Sequence, residues 1–168
     1  MVASSSRPKL VVENDSFLRL IQVILDPAAP ADRFAAFSHF CAHDLPDFGG
    51  WCERIRARVQ DSYPAHVRLV DNQAELLANV ADAQLIVVES LAVGAAEIAA
   101  AGKTLKIVQK YGVTTPRIDS AACESASVQV LTLRRRANIS TAEQGLTLML
   151  ALARQLNQNG RASCRERV

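Results

Sequence analysis

The chain has 168 residues, 49% of them apolar and 21% charged, with a formal net charge of +2 at neutral pH. That is one domain's length with enough apolar material for a core and an ordinary globular composition. No run approaches the ~18 consecutive apolar residues of a membrane helix, and so small a charge gives no field for nucleic acid.

Residues 1–8 (MVASSSRP) lack an apolar h-region, so this stretch is read as a disordered lead-in and not as a secretory leader. KLVVEN (9–14) is the first predicted strand, and SFLRLIQVIL (16–25) is a helix that ends at Asp26-Pro27. PADRFAAFSHFCAH (30–43) and PDFGGWCERIRARVQ (46–60) also read as helical, the latter expected to break early at Gly49-Gly50. The stretch 26–63 is long for one crossover and is taken as an insertion. His39 and His43 in it share a helix face, but Cys41 points away and neither it nor Cys52 belongs to a CxxC pair. Packing and surface roles are therefore expected, with no metal bound.

HVRLVD (66–71) is the second strand and NQAELLANV (72–80) a helix. LIVVES (85–90) is the third strand, followed by the helix VGAAEIAAAG (93–102), which Gly102 stops. LKIVQKYG (105–112) and VQVLTL (128–133) complete five strands. Their cores are nearly continuous apolar runs, which favours strands covered on both faces in a parallel sheet. Strands alternating with helices predict an α/β, doubly wound sheet of about five parallel strands.

After the fifth strand, LTLRRRANISTAE (131–143) sets three arginines and an asparagine before a capping box, with Ser140 as N-cap and Glu143 reaching back. LTLMLALARQL (146–156) is then apolar on nearly every face, which predicts burial all round or a place between domains, and an exposed apolar stripe otherwise. The last nine residues, GRASCRERV (160–168), match the in-frame translation of a common sequencing adapter and are set aside as foreign. Without them the chain holds 16 basic and 16 acidic residues. The four cysteines (Cys41, Cys52, Cys123, Cys164) have no paired spacing and are read as reduced thiols, which makes a cytoplasmic protein the expectation. Cys123, without a histidine nearby in sequence, reads as a small buried apolar residue.

Ligands of open parallel sheets bind beyond the carboxyl ends of the strands. Polar residues gather at those ends: Glu13, Asn14 and Asp15 after strand one, Asp71 and Asn72 after strand two, Glu89 and Ser90 after strand three. Lys110, Tyr111 and Gly112 close strand four; Arg134, Arg135, Arg136 and Asn138 close strand five. The arginines are suited to a carboxylate or phosphate clamp; the plainer reading is a solvated strand end.

From 85 to 156 the chain resembles the D-isomer-specific 2-hydroxyacid dehydrogenases. LIVVES with its small-residue loop, LKIVQKYGVTTPRID (105–119), AAC, VQVLTL, and NISTAE (138–143) leading into LMLALAR (148–154) carry the likeness. The resemblance implies a flavodoxin-like substrate-binding domain over 9–139 and an interdomain helix over 140–159 leading into an NAD-binding domain. It implies hydride transfer between NAD or NADP and the CH–OH carbon of a D-2-hydroxy acid. It places Glu89, Ser90, Tyr111, Gly112, Val113, Arg134 and Asn138 near the substrate, with Val113 and Asn138 also near the nicotinamide.

The chain departs from the family's usual pattern in several places. Glu89 stands where many members have arginine, Thr114 and Ser127 where they have glycine, Gln144 where histidine is common, and Arg134–Arg136 where a Thr-Pro pair is frequent. No GxGxxG occurs, and the family's catalytic arginine, acid and histidine have no match here. The expectation is therefore an incomplete dehydrogenase with no catalytic residue of its own, inactive alone, whose partners are a small 2-oxo or 2-hydroxy acid, a Rossmann domain in cis and a second subunit. Two other function classes stay open: a receiver-type module using Glu13 and Asp15, and a non-catalytic binding module of the same fold.

Overall fold

A computed structural model describes residues 7–133 and 137–154. They fall into two units, one ending at Leu133 and the other following it.

The five apolar runs of the first unit form five parallel strands: β1 (Lys9–Glu13), β2 (His66–Val70), β3 (Leu85–Val88), β4 (Ile107–Lys110) and β5 (Gln129–Thr132). Their order is β2-β1-β3-β4-β5, the doubly wound arrangement expected from the alternating pattern, in the flavodoxin-like order that the resemblance implied. In-phase aliphatic residues mark the register: Val12 lies opposite Leu69 and Val87, and Ile86 opposite Val11 and Val108.

Period-two alternation sends successive side chains to opposite faces. Val11, Ile86, Val88 and Val108 enter a cluster completed by Leu76 of α4 (Gln73–Asn79), Ile98 of α5 (Ala95–Ala101) and Cys123 of α6 (Ser120–Ser125). Leu10, Val12, Val67 and Val87 enter a second cluster with Leu18 and Ile21, at and within α1 (Arg19–Leu25). On that second face Ile107, Gln109 and Leu131 belong to neither cluster and remain partly exposed. The expectation of two fully covered faces therefore holds over β1 and β3 and not over β4 and β5. Only one helix of the described first unit, α1, packs against that face.

The stretch 26–63 folds as α2 (Ala31–Cys41) and α3 (Phe48–Arg58). Phe48 and Cys52 of α3 bury against Val23 and Ile24 of α1. Arg56 donates to the carbonyls of Ile24 (2.8 Å) and Val23 (3.0 Å), satisfying acceptors that the end of α1 leaves open. Gly49-Gly50 does not interrupt α3: both glycines lie in its first turn, where the Asp47 carboxylate accepts from the Gly50 amide at 2.9 Å and holds the chain helical.

Two helix boundaries differ from expectation. α6 was absent from the periodic pattern because it has only six residues; Asp119 starts it by accepting from the Ala122 amide at 2.9 Å. The second unit's helix, α7 (Ala137–Ala153), begins three residues before Ser140, so Ser140 is an interior helical residue and the proposed capping box does not form. A hydroxyl inside a helix can bond back to a carbonyl one turn earlier, as Thr147 does to the Glu143 carbonyl at 2.8 Å. Leu148, Met149, Leu150 and Leu152 of α7 are more than half exposed, and as three of them are consecutive they spread around the helix rather than forming one stripe.

Candidate functional site

Parallel pairing of Val88 with Lys110 brings the loops after β3 and β4 side by side at the carboxyl edge. The Tyr111 amide continues the ladder to the Val88 carbonyl at 2.8 Å, so Glu89 and Ser90 sit beside Tyr111 and Gly112. Two cations tie the loops together. The Lys110 ammonium donates to the Glu89 carbonyl, and the Arg117 guanidinium donates to the Ser90 carbonyl at 2.8 Å. The Leu133 amide reaches the Gly112 carbonyl at 2.9 Å, extending the edge to the end of β5.

The β3 loop is fixed from beneath by Glu13. Its strand position buries this residue to 9% exposure, which calls for partners, since a buried carboxylate without them is costly. Oε2 accepts from the amides of Glu89 (2.6 Å), Ser90 (2.8 Å) and Leu91 (3.1 Å), and Oε1 from the Ser90 hydroxyl. Burial works to raise the Glu13 pKa, but the Ser90 hydroxyl and the Leu91, Ser90 and Glu89 amides favour the ionised form and hold it below its ordinary value.

The rest of the loop is equally engaged. The Ala92 amide donates to Gln73 of α4 at 3.0 Å, the Val93 amide to the Arg117 carbonyl at 2.9 Å, and the Gly94 amide to Glu97 of α5 at 2.9 Å. All six backbone amides from Glu89 to Gly94 are thus committed within the protein.

The β4 loop differs. Gly112 has φ = 151°, a conformation that residues with a Cβ avoid. Among the described residues no hydrogen bond uses the Val113 or Thr114 amide, and the Val113 side chain is 56% exposed. The adjoining Tyr111 side chain packs against the second-face cluster.

The structure therefore brings together five of the sequence-predicted residues: Glu89, Ser90, Tyr111, Gly112 and Val113. Arg134 lies outside the described residues. Asn138 is in the first turn of α7, in the other unit. Gln73 and Arg117 went unnoticed in the sequence as organisers of the site, while Lys110 counted only as an edge residue and Glu13 as an edge residue and part of a receiver-type alternative. The one signal for Glu13 was a carboxylate closing an apolar strand. Among the described residues no group of three or more His, Cys, Asp or Glu is placed to hold a metal, and no helix is long and apolar enough to cross a membrane.

No family model matches the chain. It is 36% identical over 110 residues to D-3-phosphoglycerate dehydrogenase of Archaeoglobus fulgidus, covering 66% of this chain and 21% of that protein. With the D-3-phosphoglycerate dehydrogenase of Mycobacterium leprae it shares 37% identity over 92 residues, 54% of this chain and 17% of that one. The 2-hydroxyacid dehydrogenase of Ketogulonicigenium vulgare superposes with a TM-score of 0.53 at 19% identity, over 96% of this chain and 40% of that one. In sequence the chain is similar to D-3-phosphoglycerate dehydrogenases, and in fold to a 2-hydroxyacid dehydrogenase. It spans about a fifth of the length of the curated dehydrogenases it matches.

Proposed function

We propose that this chain is the substrate-binding part of an NAD(P)-dependent oxidoreductase acting on the CH–OH carbon of D-2-hydroxy acids. The observation that carries the reading is the pair of loops after β3 and β4, locked edge to edge by Lys110 and Arg117, with Val113 and Thr114 amides after Gly112 that have no partner among the described residues. A small acid's carboxylate needs such donors, already oriented and free of internal partners. The sequence relation to D-3-phosphoglycerate dehydrogenases supports the same class of acid.

The described residues fit one edge of a nicotinamide cofactor only. The exposed Val113 side chain offers an apolar contact for a flat ring, while the sequence contains no glycine-rich loop for a pyrophosphate. Bound NAD or NADP would supply the hydride acceptor. This chain's residues would hold the acid's carboxylate through the β4 loop and shield the hydride path from water. In this reading residues 9–139 form the substrate domain, and the stretch 140–159 joins it to a nucleotide-binding domain. A carboxylate clamp by Arg134 and a hydrogen bond from Asn138 to substrate or carboxamide belong to the same proposal.

Calorimetric titration of this 168-residue chain tests it. Pyruvate is expected to bind in the millimolar range, about −4 kcal/mol, with NADH binding weak or undetectable and no NADH oxidation. Turnover of a 2-oxo acid by this chain alone would contradict the division of labour; no binding of any 2-oxo acid would contradict the reading itself.

A further inference from the structure

We infer that Glu13 is a positioning residue for the candidate site, acting as an internal anion that occupies the amide cluster at the head of the β3 loop. The inference rests on the reading of this edge as a 2-oxo acid site.

Three consecutive amides, those of Glu89, Ser90 and Leu91, converge on a single oxygen, Oε2 of Glu13. Successive backbone N–H groups that point at one spot form an anion-binding concavity. Here the anion comes from the chain itself, 76 residues earlier. The Ser90 hydroxyl closes the other oxygen. Both carboxylate oxygens thus hold loop donors, and the ionised group brings to the loop the charge that makes such bonds stronger than neutral ones.

This arrangement has two effects on the site. It denies the Glu89–Leu91 amides to a bound acid, so substrate donors must come from the neighbouring loop, where the Val113 and Thr114 amides have no described partner. It also fixes the carbonyls that the two cations use. Lys110 bonds the Glu89 carbonyl and Arg117 the Ser90 carbonyl, so Glu13 sets the seat on which the β4 loop is registered. Glu13 has no need to touch substrate; it acts through the peptide units of residues 89–91.

A purely structural carboxylate and a positioning one predict different outcomes for Glu13→Gln. Glutamine presents donors to some of the groups that now donate, so the local network fails while the apolar strand survives. Amide hydrogen exchange and pyruvate affinity, the latter read from the Gly112 and Val113 amide shifts, are measured on the intact chain. Exchange at Ser90 and Leu91 is expected to accelerate about tenfold, with Val11 and Val87 unchanged, and pyruvate affinity to fall about tenfold. In Glu13→Ala, added formate is expected to restore protection at Ser90 and Leu91 by refilling the anion position.

Unchanged exchange at these amides in Glu13→Gln would overturn the inference, as would acceleration spread evenly over β1 and β3. Should Glu13→Gln not fold, the formate response of Glu13→Ala decides, and its absence counts against the proposal. If the unaltered chain binds no pyruvate, the substrate reading fails, while the exchange pattern still decides whether Glu13 organises the loop.

Discussion

Gln73 and Ala92 face each other through a reciprocal pair of hydrogen bonds: the Gln73 amide nitrogen donates to the Ala92 carbonyl at 2.9 Å, and its oxygen accepts from the Ala92 amide at 3.0 Å. The same nitrogen spends its second proton on Glu97 at 2.7 Å. One side chain at the start of α4 thus joins the β3 loop to α5. Gln73→Ala leaves a carbonyl, an amide and a carboxylate oxygen without that partner. A loss of about 1–3 kcal/mol in urea-unfolding stability is expected, with faster exchange of the Ala92 amide. A change within measurement error would show that water replaces the glutamine at no cost.

Glu13 gives the chain an acid-sensitive contribution. Its folded pKa is lowered from the ordinary 4.5 by the loop hydrogen bonds, against the opposing effect of burial. A depressed folded pKa stabilises the fold fully above the unfolded value, and that stability is lost as pH falls through the folded one. Stability of the unaltered chain should therefore rise with pH across the window just below 4.5, with a shallower rise in Glu13→Gln. Identical slopes in acid titrations of the two proteins would exclude this contribution.

Two glycines occupy backbone conformations that side chains disfavour: Gly102, which ends α5 at φ 72°, ψ −160°, and Gly112 at φ 151°. Nothing lies within 4 Å of a Cβ added at Gly102, so Gly102→Ala tests backbone strain alone. Each alanine substitution is expected to cost about 1–3 kcal/mol. Only Gly112→Ala should also weaken 2-oxo acid binding. Equal affinity in the two variants would separate Gly112 from the site.

These elements show how much the sequence made legible. Apolar runs such as LVV and LIVV marked β1 and β3, which are covered on both faces, the aliphatic residues of one covered face still marked β2, β4 and β5, and alternation of runs with helices then pointed to the parallel class. The six-residue α6 escaped notice because so short a helix has no periodicity, only its Asp119 cap. Ser140 misled because the same residue spacing occurs inside helices as at their starts. Within the site, the residues that carry a resemblance were readable, while the Glu13–Ser90 contact spans 77 positions and leaves no local pattern. Gln73 and Arg117 looked like ordinary surface residues until the fold brought them to the β3 loop.

The apolar helix α7 makes a solubility prediction. Leu148 is 55% and Leu152 69% exposed, one helical turn apart. Contiguous apolar surface of this kind promotes association. Replacing both by glutamine should shift the chain from self-associated to monomeric species in light scattering, with the unfolding midpoint of the first unit unchanged. If the unaltered chain is already monomeric at high concentration, the helix face is not a driver of association.

The central claim is that the loops after β3 and β4 form one acid-binding edge, and a nitrogen-15 NMR titration of the chain with pyruvate tests it most directly. The largest, saturable shifts are expected at the Gly112, Val113 and Thr114 amides, smaller ones at Glu89 and Ser90, and none at the amino ends of the strands. Saturable shifts confined to the opposite end, around the cavity lined by Leu10, Ile24 and Ile107, or no shifts at any pyruvate concentration, would contradict it.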